Sequence, residues 1–424
     1  MIETGPKKAR ERALLIGLEK DGVSKWDLRD SMEELRELAN SAGAEVVDTI
    51  TQKLPKPTAP YYIGKGKAEL IKNSLQDRHV TSVIFDDELS PAQGRNLETL
   101  LARKVLDRTQ LILDIFAQRA RSREGRLQIE LAQLQYLLPR LTRMWHHLSR
   151  QTGGIGTRGP GETQLEVDRR RVQERIARLE RELESVRKTR AVQRQGRKRH
   201  QWPVAAVVGY TNAGKSTLLN LLTGADVVAV NKLFATLDPT TRSFVLPNKQ
   251  RVLLTDTVGF LRKLPHTLIE SFKATLEEVS EADLLIHIVD LSHPRVDEQM
   301  EAVDAVIKEI DAFGKQTLIV FNKIDHLKNR ELPDIYTKRF PGSVAISART
   351  GEGMGNLVQA LENALSSWRL RSRFRIPANE SALIAEIHRV GHVLEVRYEG
   401  DDALIVAHVP PHLEQKLARY AARD

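Results

Sequence analysis

The chain of 424 residues contains no cysteine, which excludes disulfide bonds, thiolate metal sites and cysteine nucleophiles. No window approaches the roughly 20 apolar residues that a membrane-spanning helix needs. The first residues, Met-Ile-Glu-Thr-Gly-Pro-Lys-Lys, lack the apolar core of a signal peptide. These absences fit a reducing compartment, and we expect a cytoplasmic protein.

Apolar residues make up 41% of the chain and charged residues 29%, which is typical of a globular protein. The chain is too long for one core of ordinary size, so two to four domains are expected. The net charge is +9, and the stretch Arg187–Arg199 contains seven Lys or Arg and no acidic residue. Such a basic run favours contact with a polyanion such as RNA, and the alternative is a solvated basic linker.

Residues 1–118 alternate short apolar runs with polar helical stretches. Strands that alternate with helices predict a small α/β domain with a largely parallel sheet. The predicted strands are Ala13–Ile16, Glu45–Val47 and Ser82–Phe85, and the predicted helices are Met32–Ser41 and Lys67–Gln76.

Residues 119–200 carry two leucine-rich stripes at heptad spacing, which predict an antiparallel helical hairpin. Pro139 lies inside the first stripe and should kink or split that helix. The first stripe comprises Leu127, Leu131, Leu134, Leu138, Leu141, Trp145 and Leu148, and the second comprises Leu165, Val172, Ile176, Leu179, Leu183 and Val186.

A glycine-rich segment, Gly153-Gly-Ile-Gly-Thr-Arg-Gly-Pro-Gly161, separates the two stripes. Its glycines could simply allow the chain to reverse direction, because glycine tolerates positive φ. Five glycines in nine residues exceed what a reversal needs, so a thin hairpin tip that enters a crowded site is the second interpretation. The residues alone leave both open.

Residues 201–368 contain a phosphate-binding pattern. The apolar strand Trp202–Val208 runs into Gly209-Tyr-Thr-Asn-Ala-Gly-Lys-Ser216, and Thr217–Leu222 opens a helix. A strand, then G-x-x-x-x-G-K-S, then a helix is the Walker A arrangement, whose backbone N–H groups hold phosphates. Lys215 should reach the β- and γ-phosphates, and the Ser216 hydroxyl should bind Mg²⁺.

Three later motifs, each after an apolar strand, indicate that the nucleotide is guanine. Asp256-Thr-Val-Gly259 offers a carboxylate to the Mg²⁺ outer shell and a glycine N–H to the γ-phosphate. In Asn322-Lys-Ile-Asp325 the carboxylate can accept hydrogen bonds from guanine N1–H and the 2-amino group, Lys323 can cover the base and Asn322 can brace the loop. In Ser347-Ala-Arg349 the Ala348 N–H could contact guanine O6. Adenine lacks the matching donors and would be rejected.

The segment Phe234–Arg242 lies where a switch loop should supply a threonine hydroxyl to Mg²⁺. Thr236, Thr240 and Thr241 compete for this role, and we favour Thr236 with Thr241 next. Phe260 follows Gly259, where many such enzymes place a glutamine that orients the attacking water. Phenylalanine cannot do this, so we predict slow intrinsic hydrolysis that a partner accelerates.

These motifs in this order resemble a translation-factor-related P-loop GTPase. With the glycine-rich segment, the hairpin and Tyr62-Ile-Gly-Lys-Gly-Lys67, essentially the whole chain resembles the HflX family of ribosome-associated GTPases, in the Obg/HflX group. The family's replacement of glutamine by phenylalanine is matched by Phe260. The resemblance implies binding to the large ribosomal subunit, with the hairpin tip near the RNA of the peptidyl transferase centre. It also implies splitting of stalled ribosomes, particularly in heat stress, and partial association with ribosomes or membranes.

We expect a monomer with no integral membrane segment, Mg²⁺ as cofactor and GTP as substrate. The predicted catalytic residues are Lys215, Thr236 and Gly259, and Ser216 and Thr236 are the predicted metal ligands. The predicted nucleotide contacts are Gly209, Tyr210, Thr211, Asn212, Ala213, Gly214, Lys215, Ser216, Thr217, Phe234, Ala235, Thr236, Leu237, Asp238, Asp256, Thr257, Val258, Gly259, Asn322, Lys323, Ile324, Asp325, Ser347, Ala348 and Arg349.

The resemblance also implies ATP binding at the N-terminal domain as a minor possibility, since some family members are reported to bind ATP there. Gly64-Lys-Gly-Lys67 is not a Walker A loop, and a helix start with a basic surface explains it as well.

Residues 369–424 begin with Arg369, Arg371, Arg373 and Arg375. They continue with strand-like runs at Leu383–His388, Val393–Tyr398 and Leu404–Val409 and a short helix, which predicts a small α/β domain.

Three functions from different classes remain open. A GTPase directed at ribosomal RNA fits the basic run and the hairpin. A regulatory GTPase that acts on a protein partner would need a docking surface that the sequence does not reveal. A non-enzymatic RNA-binding or RNA-remodelling protein would use the nucleotide only as a structural switch, although Lys215, Ser216 and Asp256 are all present.

Overall fold

The computed structural model describes residues 10–22, 25–141, 164–199, 202–224, 233–234, 236–263, 276–366 and 370–422. The chain forms two compact units. The first comprises Met1–Ser185 with Lys263–Ser271, and the second comprises Val186–Arg262 with Phe272–Asp424. Among the helices described, none is long and apolar enough to cross a membrane.

The first unit begins with a four-stranded parallel sheet in the order β2-β1-β3-β4. This confirms the small α/β fold expected from alternating strands and helices. The elements are β1 (Arg12–Glu19), α1 (Lys25–Ser41), β2 (Glu45–Lys53), α2 (Lys65–Asp77), β3 (Ser82–Phe85), α3 (Pro91–Leu101), β4 (Lys104–Asp107) and α4 (Arg108–Arg119).

Two features of this sheet differ from the sequence prediction. β1 and β2 are longer than their apolar runs, because hydrogen bonds to neighbouring strands extend a strand into polar residues. β4 was not predicted, since only Val105 and Leu106 of its four residues are apolar. Gly64 caps the start of α2, and its N–H donates to Gln52 Oε1 at 3.0 Å. This supports a helix start as the reason for the glycines in this segment.

The helix of the first leucine stripe breaks where proline predicted it. α5 spans Arg123–Leu137, and a single 3₁₀ turn, Leu138–Arg140, follows. Trp145, Leu148 and the glycine-rich segment 153–161 lie outside the described residues.

The second stripe lies in one long helix, α6 (Gln164–Arg199). Leu179 and Leu183 of this stripe are buried, and Arg175 forms an ion pair with Glu130 of α5 at 2.7 Å. The ion pair links α5 to α6, and the antiparallel hairpin stays a prediction, because residues 142–163 lie outside the described part of the chain. The basic run Arg187–Arg199 is part of α6, so these residues are helical, and contact with a polyanion or a solvated linker both stay predictions.

The second unit contains a six-stranded sheet in the order β10-β9-β8-β5-β7-β6. Only β6 is antiparallel, which confirms the mixed, mostly parallel sheet. The elements are β5 (Val204–Gly209), α7 (Lys215–Thr223), β6 (Thr240–Val245), β7 (Arg251–Asp256), β8 (Leu284–Asp290), α8 (Val296–Glu309), β9 (Thr317–Asn322), α9 (Leu332–Arg339), β10 (Val344–Ala345) and α10 (Met354–Ala364). The loops after β5, β7, β9 and β10 meet at the carboxyl edge, where parallel α/β sheets bind ligands.

The C-terminal part of this unit is a three-stranded antiparallel sheet, β11-β13-β12, with helices on one face. Its elements are β11 (Leu370–Pro377), α11 (Ser381–Val390), β12 (His392–Glu399), β13 (Asp402–Val409) and α12 (Pro411–Leu417). The predicted strand at Leu383–His388 is wrong, because this run belongs to α11. Leu383, Ile384 and Ile387 face the core at i, i+1 and i+4, which is the spacing of a helix.

Candidate functional site

The phosphate-binding loop connects β5 to α7, as the Walker A pattern predicted. Gly209 has φ +150° and Gly214 has φ +100°. A Cβ at Gly209 would collide with the carbonyl of Ile288, and one at Gly214 would collide with the amide of Asn322. Both positions therefore require glycine, because the backbone conformation and the available space exclude a side chain.

Lys215 is the first residue of α7, and its ammonium lies inside the loop. It is 6% exposed, and its Nζ donates hydrogen bonds to the carbonyl of Tyr210 at 2.7 Å and that of Gly209 at 3.1 Å. Burial lowers the pKa of Lys215 to about 8, against the opposing effect of Asp256, and Lys323 lowers it further. A buried cation at this position is suited to a phosphate group, which would supply the missing negative charge.

Three oxygen atoms meet beside this lysine. Ser216 Oγ and Thr236 Oγ1 are 2.8 Å apart, and they donate to Asp256 Oδ2 at 2.8 and 2.7 Å. Oxygen donors are the ligands that Mg²⁺ prefers. Two hydroxyls with a carboxylate behind them fit the predicted arrangement, in which Ser216 and Thr236 hold the metal and Asp256 stands in its outer shell.

The structure separates the three competing threonines. Thr236 reaches Ser216, whereas Thr241 Oγ1 lies 3.0 Å from Thr255 Oγ1 between β6 and β7. Thr240 is an exposed residue at the start of β6. Of these, Thr236 alone is brought to the oxygen cluster. Within the described residues no group of three His, Cys, Asp or Glu could hold a metal ion.

The loop after β7 pairs with the phosphate loop through backbone hydrogen bonds. The N–H of Thr211 donates to the carbonyl of Phe260 at 2.8 Å, and the N–H of Phe260 donates to the carbonyl of Gly209 at 3.1 Å. Phe260 is 2% exposed. Its ring is therefore a core side chain, which the sequence comparison with glutamine did not reveal. Gly259 is packed so closely that a Cβ there would lie 2.8 Å from Thr211 and 3.0 Å from Lys215 Nζ.

The loops after β9 and β10 are joined through Asn322. Its Nδ2 donates to the carbonyl of Ala213 at 2.8 Å, and its Oδ1 accepts the N–H of Ala348 at 2.9 Å. The bracing contact expected of Asn322 is present. The Ala348 N–H has a protein partner, so a hydrogen bond to guanine O6 would have to be shared with Asn322.

The side chains of Asp325 and Lys323 are each held by a neighbouring residue. Ser347, which holds Asp325, was predicted to belong to the site, whereas Asp290, which holds Lys323, was not. Ser347 Oγ donates to Asp325 Oδ1 at 2.8 Å, which fixes the carboxylate expected to read guanine. Lys323 has φ +65°, and its Nζ forms an ion pair with Asp290 Oδ2 at 2.7 Å. Asp290 was not predicted, although its place at the end of the apolar strand β8 was a usable signal.

The remaining residues predicted to contact the nucleotide differ in burial. Phe234, Leu237, Val258 and Ile324 are buried, Arg349 is exposed, and Ala235 lies outside the described residues. The Thr257 hydroxyl donates to the carbonyl of Val207 at 2.6 Å, which ties β7 to β5. The side chain of Thr257 is therefore held by the sheet, and its contact with the nucleotide stays a prediction.

Comparisons with known families cover most of the chain. Residues 29–117 match the GTP-binding GTPase N-terminal family, residues 119–197 the GTP-binding GTPase middle region, and residues 204–323 the 50S ribosome-binding GTPase family. The first match covers the N-terminal unit from within α1 to α4, without β1, the second covers α5 and most of α6, and the third covers the nucleotide site through Lys323.

Individual relatives agree with these matches. GTPase HflX of Caldanaerobacter subterraneus is 46% identical, over 97% of this chain and 94% of its own length. GTPase HflX of Escherichia coli K12 is 47% identical over 89% of both chains. Among solved structures, a GTP-binding protein from Sulfolobus solfataricus in complex with GDP is 26% identical, with a TM-score of 0.45 over 84% of this chain and 99% of that one.

P-loop GTPases generally use Mg²⁺ with GTP, and the oxygen donors of Ser216, Thr236 and Asp256 suit that ion. The phosphate loop, the oxygen cluster and the Asn322–Asp325 loop occupy one edge of a P-loop GTPase sheet. Sequence identity of 46% over nearly the whole chain accompanies them. The chain therefore belongs to the HflX family of GTPases.

Proposed function

We propose that this GTPase binds the large ribosomal subunit, splits or rescues stalled ribosomes, particularly in heat stress, and resets itself by hydrolysing GTP to GDP and phosphate. The observation that carries the enzymatic part is the convergence of Ser216, Thr236 and Asp256 beside Lys215. Membership of a family matched to a 50S ribosome-binding GTPase supports the ribosomal part.

The chemistry assigned to this site is positioning and charge stabilisation. Lys215 leaves the carbonyls of Gly209 and Tyr210 to bind the β- and γ-phosphates, and the Gly259 N–H contacts the γ-phosphate. A magnesium ion held by Ser216 and Thr236 would neutralise charge that develops on the phosphate oxygens. The carboxylate of Asp256 orients both hydroxyls through hydrogen bonds.

Hydrolysis in the absence of a partner should be slow. Phe260 is packed in the core at the position where other P-loop GTPases use a glutamine, so its side chain cannot orient water. A partner that supplies a polar group or orders the switch loops would then accelerate hydrolysis. This coupling would restrict GTP consumption to the ribosome-bound state.

Ribosomal RNA is the proposed partner of the hairpin. The seven basic residues of Arg187–Arg199 in α6 provide positive charge for phosphate contacts. We assign the tip, residues 153–161, to the neighbourhood of the peptidyl transferase centre on the resemblance of the sequence. ATP binding by the N-terminal domain is not part of this proposal, because Gly64 and Gly66 are accounted for by the start of α2.

The test is co-sedimentation with purified ribosomal subunits at two salt concentrations, together with GTP turnover. Binding to the large subunit in the GTP-bound form, weaker at high salt and accompanied by faster turnover, would support the proposal. Absence of co-sedimentation would refute the ribosomal part. Stimulation by a protein fraction free of ribosomes would favour the regulatory GTPase instead.

Deletion of residues 153–161 separates the hairpin from the enzyme. We expect the deletion to preserve basal hydrolysis and GDP binding while it abolishes splitting of ribosomes, measured by the fraction of free subunits on a sucrose gradient. A matched replacement of the tip by a flexible linker of equal length controls for helix packing. Loss of GDP binding would instead make the tip a structural element.

A further inference from the structure

The side chain of Tyr210 has a role that phosphate binding does not explain. Tyr210 is the second residue of the phosphate loop and is 7% exposed. Its phenolic oxygen accepts a hydrogen bond of 2.8 Å from the backbone N–H of Arg262. A phosphate loop binds phosphate through backbone N–H groups, so phosphate binding does not account for the hydrogen bond at the phenol.

Arg262 lies three residues after Gly259 and is held a second time through its side chain. Its Nη1 donates to Glu298 Oε2 at 3.1 Å, and Glu298 also accepts from Arg295 at 3.0 Å. Glu298 belongs to the first turn of α8. The end of the segment Gly259–Arg262 is therefore tied both to the phosphate loop and to a rigid helix.

Together with the Phe260 backbone pair, the phenol completes three hydrogen bonds between the phosphate loop and the segment that carries Gly259. The other two bonds are made by backbone atoms. The Tyr210 hydroxyl is thus the member of this set that a substitution can remove without altering the backbone. The loss would remove the bond from the phosphate loop to the far end of the segment, whereas the ion pair of Arg262 with Glu298 and the bonds at Phe260 would remain.

We propose that Tyr210 is a positioning residue for GTP hydrolysis: its hydroxyl fixes the backbone at Arg262 and thereby holds the Gly259 N–H ready for the γ-phosphate. The inference rests on the proposed role of Gly259. In the same structure the hydroxyl of Thr236 contacts the hydroxyl of Ser216 and the carboxylate of Asp256. The bond from Tyr210 therefore belongs to an arrangement in which the metal-binding hydroxyls are already in place.

This role predicts a distinction between the two nucleotides. GDP has no γ-phosphate, so its affinity should not depend on the position of Gly259. A GTP analogue requires that position, and the transition state requires it more strongly because charge accumulates on the transferred phosphoryl group. A residue that merely stabilised the fold would affect both nucleotides alike.

The experiment is Tyr210→Phe, which removes the hydroxyl and keeps the ring. We expect GDP affinity to stay within about twofold, whereas affinity for a non-hydrolysable GTP analogue and kcat each fall roughly 3- to 10-fold, the size of one lost hydrogen bond. Tyr398→Phe makes the same chemical change at a tyrosine that is 67% exposed and should alter nothing. Glu298→Gln weakens the second attachment and should act in the same direction with a smaller effect.

Equal losses for GDP and the analogue, or no change in analogue affinity and kcat, would overturn the inference. Gly259→Ala distinguishes this result from failure of the proposed site. If Gly259→Ala weakens analogue binding and Tyr210→Phe does not, the role of Tyr210 is wrong and the site stands. If Gly259→Ala leaves analogue binding unchanged, the role assigned to Gly259 is wrong, and that of Tyr210 with it.

Discussion

The side-chain amide of Asn322 donates a 2.8 Å hydrogen bond to the backbone carbonyl of Ala213. This bond joins the loop that should read the base to the loop that should bind the phosphates. Both residues are buried, and they are 109 positions apart in the chain. One side chain therefore links the loop of Asp325, predicted to read the base, to the loop of Lys215, predicted to bind the phosphates.

Asn322→Ala should weaken GDP and GTP binding by about 10- to 100-fold. The substitution leaves the carbonyl of Ala213 and the N–H of Ala348 without their partner, at a cost of about 1–3 kcal/mol for each buried polar group. Titration with fluorescent GDP measures the loss. The exposed Asn356→Ala serves as a matched control, and unchanged affinity in Asn322→Ala would show that the brace is dispensable.

Thr236→Ala should lower kcat for GTP about 100-fold or more and leave GDP affinity nearly unchanged. Removal of the hydroxyl takes one oxygen from the cluster that fits Mg²⁺, and metal-assisted charge stabilisation is among the larger catalytic terms. Turnover as a function of Mg²⁺ concentration is the measurement. Thr241→Ala is the control, because Thr241 pairs with Thr255 instead. A greater loss in Thr241→Ala would reverse the assignment.

Asp325→Asn should shift the preference of the site from guanine to xanthine nucleotides. The amide reverses the donor pattern presented to the base, while Ser347 can still hold the side chain in place. Competition between GDP and XDP against a fluorescent nucleotide reports the preference. Unchanged selectivity for guanine would remove this carboxylate from base recognition.

Phe260→Gln should not create a fast hydrolase. The backbone pairing of residue 260 with Gly209 and Thr211 directs its side chain into the core. A glutamine amide there would be buried at a site that holds an apolar ring, and burial of an amide that makes no hydrogen bond costs free energy. We expect basal kcat to rise less than about threefold and the thermal unfolding temperature to fall by several degrees. A rise of more than tenfold in kcat would mean that the side chain can turn toward the phosphates.

GDP binding should take up protons above pH 8. Burial lowers the pKa of Lys215 to about 8, so the free protein loses this charge as pH rises through that value, and a bound phosphate raises the pKa again. Affinity should fall by up to roughly tenfold per pH unit above pH 8. Calorimetry at about pH 8.5 in two buffers of different ionisation enthalpy measures the proton uptake, and the uptake should be smaller at about pH 7.5, where more of the free Lys215 is protonated. Equal enthalpies in both buffers at the higher pH would contradict the lowered pKa.

The lowered pKa of Lys215 also affects stability. Its pH dependence is opposite to that of a salt-bridged lysine, whose pKa is raised and whose contribution to stability is lost as pH rises. The buried ammonium of Lys215 costs stability below about pH 8, and this cost is relieved as pH rises from that value toward the usual lysine pKa. Because of Lys215, the free energy of unfolding of the ligand-free protein should therefore increase as pH rises, whereas the affinity for nucleotide should decrease. The two trends can be separated by unfolding with and without GDP.

Local sequence patterns determined much of the fold. β3 has the predicted bounds Ser82–Phe85, and Pro139 ended α5 where its missing N–H and its ring predicted a break. The pattern at Leu383–His388 predicts a strand, but the segment is helical. Six residues rich in Leu and Ile are too few to distinguish the period of a strand from that of a helix. Packing of Ile387 in the C-terminal core decided that case.

The sequence by itself determined the chemical types in the site, since a phosphate loop, a metal-binding hydroxyl and a base-reading carboxylate each need a particular residue after a strand. Tertiary structure alone decided which threonine reaches Ser216, that Phe260 belongs to the core, and that Asp290 and Tyr210 support the loops. The physical reason is distance along the chain. Hydrogen bonds between residues that are tens of positions apart depend on how strands assemble in the sheet, and no local pattern records that assembly.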